Sequence, residues 1–331
     1  MPNTNPLKHH LDTFRALRDS GPFSYPWVHV HNGGQHDKIV VFQAITHGDE
    51  VGPLPALLDV MSALQNGQLT FGGQVRFVLG NPEAALQGTR FVEQDLNRVF
   101  VEPHAALGGP SAHEVQRAQQ LMPVLNDADL FIDFHQTSQP SARPFYTYPW
   151  RPDWAAWTRA LGGKTAWSTR GPNTIFVEGM RCTDEFVRDC GGMGITLELG
   201  QRGFRPATFA RARTEMIRAM ALVDAMAMGR TTLAEAAASQ PAPDLFALVH
   251  IEAFSDPRMA LQPGWESFSP VRAGQLLSAP NTPTVVAAAD GVMLFPVYPP
   301  RGSDGLATSP RPQALFRIMR QITEDPVILF G

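Results

Sequence analysis

Cysteine is almost missing from this chain: Cys182 and Cys190 are the only two among 331 residues. Two thiols without CxxC spacing exclude a disulfide framework and suit a reducing compartment. Long apolar runs are missing too. No stretch approaches the roughly 18 residues needed to cross a bilayer. The polar, mixed-charge segment Met1 to Ser20 lacks the apolar core and cleavage site of a secretory signal. A cytoplasmic protein with no membrane partner is expected. Charge of one sign is scarce as well. A formal net charge of -4 with 18% charged residues leaves no positive field from which counterion release could drive nucleic-acid binding. Internal repeats, charge blocks and low-complexity tracts are absent.

What is present is an ordinary apolar fraction, 44%, in a chain long enough for one large core or two domains. Lys38 to Ile45 (KIVVFQAI) is a short β-branched run that stops at Thr46, His47, Gly48, Asp49 and Glu50, so it reads as a buried strand feeding a loop. Pro53 then opens a helix in which Leu54, Leu57, Leu58, Met61 and Leu64 recur at helical spacing. Further strands are expected at 74–79, 130–135 and 194–199, each ending in Gly or polar residues, with helices at 112–122 and 208–228. Alternating strands and helices predict an α/β fold built on a mostly parallel sheet flanked by helices. Composition shifts between residues 229 and 244, where Gly229 and the stretch SQPAP interrupt helix formation. The expected division is a domain at 1–235 and a smaller all-β domain at 236–331, the latter with apolar runs at 245–251, 284–288 and 292–297.

His47 and Glu50 converge on one point if the chain turns at Gly48 and Asp49, the residue types that permit a turn. His135 closes another strand, and parallel strands present their C-terminal ends on one edge, where open α/β sheets bind ligands. Two imidazoles and a carboxylate form a known zinc set, because three protein ligands leave a fourth position for a water whose pKa falls to about 7. HxxE alone is more often a surface hydrogen-bonding pair; the other motifs raise its weight.

The segment from Asn81 to Phe100, NPEAALQGTRFVEQDLNRVF, strongly resembles the succinylglutamate desuccinylase/aspartoacylase family of zinc carboxypeptidase-like hydrolases. THGDE at 46–50, DFH at 133–135 and TLELG at 196–200 are similar to that family's metal and general-base segments, in the same order. The resemblance implies that His47, Glu50 and His135 hold one Zn2+ per chain and that Asp95 orients a ligand imidazole. It also implies that Arg90 stabilises the oxyanion, that Asn97 and Arg98 take the substrate carboxylate, and that Glu198 is the general base.

One departure is the C-terminal segment: Phe295, Pro296, Val297 and Tyr298 precede Pro299, with no tyrosine where aspartoacylases place a substrate-contacting one. The acyl specificity is therefore open. Arg181 and Arg188, near the position of an arginine some members contribute, read as solvated side chains. His113 and Glu114 start like HExxH, but position 117 is Arg, so the pair reads as an exposed helix start. Lys164 and Thr165 lack the first glycine of a phosphate loop and read as a turn. His9, His10, His29 and His31 read as structural, the last two on an edge strand.

The expected activity is release of a short acyl group from an N-acyl amino acid or similar small carboxylate-bearing amide. The rivals are a zinc carboxypeptidase acting on peptide C-termini and a non-catalytic protein using the zinc cleft as a pocket. Whether copies associate as a homo-oligomer is left open by the sequence.

Overall fold

The structure is a computed structural model that describes residues 5–102, 108–169, 179–308 and 312–323. In chain order the helices and strands are α1 (Pro6–Leu17), β1 (Val28–Asn32), β2 (Ile39–Ala44), α2 (Leu54–Gln65), β3 (Gln74–Leu79), α3 (Pro82–Gln87), α4 (His113–Leu125), β4 (Leu130–Thr137), β5 (Phe145–Thr147), α5 (Pro152–Gly162), β6 (Ala166–Thr169), α6 (Thr183–Asp189), β7 (Met193–Gln201), α7 (Pro206–Ala227), α8 (Leu233–Ala238), β8 (Leu245–Ala253), β9 (Pro270–Val271), β10 (Gly291–Leu294) and β11 (Ala314–Gln321). A short 3-10 turn spans Leu96–Arg98.

Among the described residues, one sheet of eleven strands runs in the order β1-β3-β2-β4-β7-β5-β6-β8-β11-β10-β9. Its centre, β3-β2-β4-β7, is parallel. Every residue of β4 is buried, as expected of a parallel strand covered on both faces. The flanking pairs β1-β3 and β5-β7 and the C-terminal ladder β8-β11-β10-β9 are antiparallel. The expected α/β architecture, a zinc carboxypeptidase-like mixed sheet flanked by helices, is what the structure contains. His29 and His31 lie on β1 at the sheet edge, in register with Phe77 and Val75.

The main core is built from the apolar faces read in the sequence: Phe42 of β2, Leu57 and Met61 of α2, Phe77 of β3, Phe131 and Ile132 of β4, and Ile195 of β7, all wholly buried. A separate cluster of Met259, Leu261, Leu277, Met293, Phe316 and Ile318 fills the C-terminal part. A third, of Phe145, Ala166, Phe246, Phe268, Leu294 and Met319, joins β5 and β6 to the C-terminal strands. The division expected at 235/236 falls inside α8. The run at 284–288 lies outside these strands; Val286 bridges Leu276, and Val285 and Ala287 share backbone hydrogen bonds with residues 274–278. Cys182 and Cys190 are not joined by a disulfide. No helix among the described residues is long and apolar enough to cross a membrane.

Phe131 is fully enclosed in this core, and removing a buried phenyl ring leaves a cavity that typically costs about 3–5 kcal/mol. Phe131→Ala is expected to lower the unfolding free energy by that amount, seen as a lower urea midpoint with an unchanged m-value. An unfolding free energy within about 1 kcal/mol of wild type contradicts this assignment of the core.

Candidate active site

The parallel register decides which side chains meet. β2 and β4 pair with Gln43 opposite Asp133, and β4 and β7 pair with His135 opposite Glu198, so His135 and Glu198 stand side by side where two adjacent strands end. The third wall comes from the loop after β2. Ile45 leaves that strand with a left-handed backbone (φ 59°), an uncommon conformation for a β-branched residue. It is held there by a hydrogen bond from Asn81 N to its carbonyl (2.7 Å). The chain then turns through Gly48, whose N–H donates to Arg90 O at 2.9 Å. A Cβ at Gly48 would lie 2.3 Å from the Ala84 carbonyl carbon and 2.5 Å from Thr89 O, so glycine is required by the close approach of α3.

The result is a buried meeting of His47, Glu50 and His135, whose ligand atoms all lie within 4.8 Å of one another. His47 Nδ1 is 2.9 Å from Glu50 Oε1, and His135 Nδ1 is 3.0 Å from Glu50 Oε2 and 3.2 Å from His47 Nδ1. Behind each ring stands a second carboxylate. Asp95 Oδ1 lies 3.0 Å from His47 Nε2, and Asp133 Oδ2 lies 2.9 Å from His135 Nε2, the latter at ion-pairing distance without hydrogen-bond alignment. Arg90 Nη2 approaches His47 Nε2 at 2.8 Å. A guanidinium can only donate, however, and Arg90 has acceptors at Glu50 Oε1 (3.0 Å) and Asp95 Oδ2 (3.4 Å). Asp95 therefore takes the His47 Nε2 proton, Asp133 sets its charge beside His135 Nε2, and the two Nδ1 atoms face each other and Glu50.

Three acceptors facing one point demand positive charge between them. The titration directions express the same demand. Burial and Arg90 oppose charging of His47, but Glu50 and Asp95 outweigh them and leave it above its ordinary value. Burial likewise opposes charging of His135, yet Asp133 and Glu50 lift it well above. Burial works against ionisation of Glu50, but the two imidazoles hold it well below the usual carboxylate range. A divalent ion satisfies the same demand. Tetrahedral ligand atoms about 2.0–2.1 Å from an ion sit roughly 3.3 Å apart, and the two nitrogens, at 3.2 Å, match that spacing. The donor set fits a metal.

A cavity of about 330 Å³ opens onto this cluster, lined also by Arg90, Asn97, Arg98 and Glu198. Glu198 is 8% exposed, and its Oε2 is buried with no hydrogen-bond partner. Burial pushes this carboxyl up to about 7, with the histidines pulling against it and Glu50 adding to it. Asn97 Oδ1 accepts from Thr183 N (2.8 Å) and Thr183 Oγ1 (3.0 Å), which leaves its amide N–H2 as the group it can present to a ligand. Arg98 Nη1 reaches Asn97 O and Cys182 Sγ. The C-terminal part lines the cavity as well, with the apolar Leu248, Leu294, Phe295, Val297 and Met319 and with Arg317 among them. Phe295 has a left-handed backbone (φ 51°) and donates its N–H to Ser267 Oγ at 3.1 Å. Tyr298 is occupied elsewhere, bonding Gln262 O and Trp265 N.

The structure thus places all eight sequence-selected residues at this cavity or against the side chains that line it. It corrects two other expectations. Glu114 is not part of an exposed helix start but is fully buried, because it accepts four N–H bonds from the loop beside the site and from Asn81. Arg188 is not solvated. Its side chain is 5% exposed, bonded to Asp184 Oδ2 (2.7 Å) and Gly194 O (2.7 Å), so it serves packing between α6 and β7. Arg181 is half-exposed beside Asp189, as a solvated arginine would be. Lys164 and Thr165 follow the end of α5 at Gly163, as the turn reading expects. Asp133 was missed, although its place two residues before His135 on a strand, hence on the same face, is a readable signal. Its Oδ1 accepts from Thr46 Oγ1 (2.6 Å), which in turn accepts from Gln43 Nε2 (2.7 Å).

A carboxypeptidase-like α/β sheet with a His-Glu-His cluster at its strand ends defines the class. The family profile described as Succinylglutamate desuccinylase/Aspartoacylase catalytic domain matches residues 36–223. The chain belongs to the succinylglutamate desuccinylase/aspartoacylase family. It is 36% identical over 116 residues to a succinylglutamate desuccinylase of Pseudomonas paraeruginosa, covering 34% of this chain and 35% of the relative. It is 30% identical over 174 residues to one of Pseudomonas fluorescens, covering 49% and 50%. The matches thus span a third to a half of those relatives' length. Among solved structures, a succinylglutamate desuccinylase of Chromobacterium violaceum is similar over 96% of this chain and 98% of that one (TM-score 0.64, 18% identity). Murine aminoacylase 3 is similar over 86% and 95% (TM-score 0.63, 17% identity).

The tight seat of Gly48 gives a direct test. Gly48→Ala forces a methyl into the backbone of α3, and such overpacking costs about 1–3 kcal/mol. The variant is expected to melt earlier and to bind a divalent ion more weakly in equilibrium dialysis. Wild-type values for both contradict the geometry.

Proposed function

We propose that this chain is a zinc-dependent amidohydrolase that releases a short acyl group from an N-acyl amino acid or a similar small carboxylate-bearing amide. The observation that carries this reading is the position of Glu198. Its partnerless buried carboxyl oxygen stands in register beside His135, at the same cavity as the three converging donors. The names of the relatives, desuccinylases and an aminoacylase, support the same reaction class.

In this reading His47, Glu50 and His135 hold one zinc ion per chain, and Asp95 fixes the His47 ring. When bound, the ion acidifies a water and polarises the acyl carbonyl. Glu198 accepts the proton that the attacking water loses and delivers it to the amine as the C–N bond breaks, so the products are a carboxylate and a free amine. Arg90, braced by Glu50 and Asp95, offers a fixed cation to the negative charge that develops on the carbonyl oxygen. Asn97 and Arg98 receive the carboxylate of the amino acid, the guanidinium suiting a planar anion. The apolar C-terminal wall borders the acyl end of the cavity. A cytoplasmic location, suited to two cysteines that form no disulfide, belongs to the same reading.

Glu198→Gln is expected to keep zinc at one ion per chain while lowering kcat about a hundredfold or more. The check is metal analysis together with hydrolysis of a panel of N-acyl amino acids. Turnover equal to wild type removes Glu198 from the chemistry. A wild-type, zinc-loaded chain that cleaves no member of the panel defeats the deacylase reading itself.

A further inference from the structure

Arg90, Asp95, Asn97 and Arg98 all sit on one loop, and little of that loop is regular structure: only the 3-10 turn at Leu96–Arg98. What fixes it is a carboxylate from elsewhere. Glu114, in the first turn of α4, is fully buried. Its Oε1 accepts from Val92 N (2.7 Å) and Asn81 Nδ2 (2.9 Å), and its Oε2 accepts from Glu93 N (3.1 Å) and Gln94 N (3.1 Å). Three successive backbone N–H groups therefore close on one anion, as in an anion-binding nest. The clamp is reciprocal, because Glu93 Oε2 accepts from His113 N at 2.6 Å, at the start of the same helix. Asn81 extends it to the first strand loop: its own N–H donates to Ile45 O (2.7 Å), just before His47.

We propose that Glu114 is the positioning residue of the site: its carboxylate anchors residues 92–94, and so sets Asp95 against His47 and Arg90 against Glu50. The inference rests on the reading of His47 as a metal ligand. Asp95 follows the anchored residues directly and caps the 3-10 turn by accepting from Asn97 N (2.9 Å), so a shift of the anchor moves both ends of the loop. Charge and acceptor count are essential here, not shape alone. A glutamine of equal size carries one oxygen and one NH2 group. Each carboxylate oxygen receives two donors, so the amide nitrogen in either orientation faces two N–H groups that it cannot accept.

Amide hydrogen exchange on the whole chain, wild type and Glu114→Gln, with zinc affinity measured by chelator competition, tests this. In wild type the amides of 92–94 are expected to be protected. In Glu114→Gln they exchange at least about tenfold faster, and zinc affinity falls about ten- to a hundredfold, the usual loss when an outer partner of a ligand is disturbed, with the far-UV spectrum kept. A residue that serves folding alone would lower the melting temperature and leave zinc affinity unmoved. Unprotected 92–94 amides in wild type overturn the proposal without recourse to any variant, and so does a Glu114→Gln zinc affinity within twofold of wild type. If wild type binds zinc but hydrolyses no acyl amino acid, the deacylase reading fails while exchange and affinity still judge Glu114. If it binds no zinc, the exchange arm alone decides.

Discussion

Two imidazole lone pairs and a carboxylate aimed at one buried point form an arrangement that is stable only with a positive charge among them. Its neighbours make it so. Asp95 hydrogen-bonds the outer nitrogen of His47 and Asp133 sets its charge behind His135, which favours protons on the outer nitrogens and leaves the inner ones as acceptors. Arg90 lends part of the missing charge from the side, through Glu50 Oε1. The remainder is a demand for a cation at the floor of the cavity.

Keeping it so requires a backbone that accepts strain at two places. Ile45 and Phe295 both adopt left-handed conformations next to the cavity, one at the end of β2 and one at the end of β10. Residues of this kind persist only when the surroundings over-determine them. Ile45 is pinned by Asn81, and Phe295 by Ser267. The parallel strands supply His135 and Glu198 in register; the strained turns bring the other walls to them. We propose that the apolar cluster around Met259, Met293 and Phe316 is the core of a second, β-rich unit at 236–331, which also lends Leu248, Leu294, Phe295 and Met319 to the lining of the cavity.

Much of this was legible in the residues, for identifiable reasons. Strands that end abruptly in polar residues, as at Thr46, Gln136 and Gly200, announce the functional edge of an α/β sheet, and the motif order in 46–50, 81–100, 133–135 and 196–200 carries the site. What escaped was set by distant partners. Glu114 looks like an exposed helix start because its acceptor role depends on amides some twenty residues earlier, brought back by the fold. Arg188 looks solvated until α6 is laid on β7. The strands β5 and β6, of three and four residues, are too short to show periodicity, and α8 interrupts what reads as a linker.

The most direct test of the converging donors is X-ray absorption spectroscopy of the chain loaded with one equivalent of zinc. The account predicts a single class of site with two imidazole nitrogens, oxygen completing the shell, and bond lengths of about 2.0–2.1 Å. A spectrum without imidazole scattering, or an ion whose binding is untouched when both His47 and His135 are replaced, would contradict it.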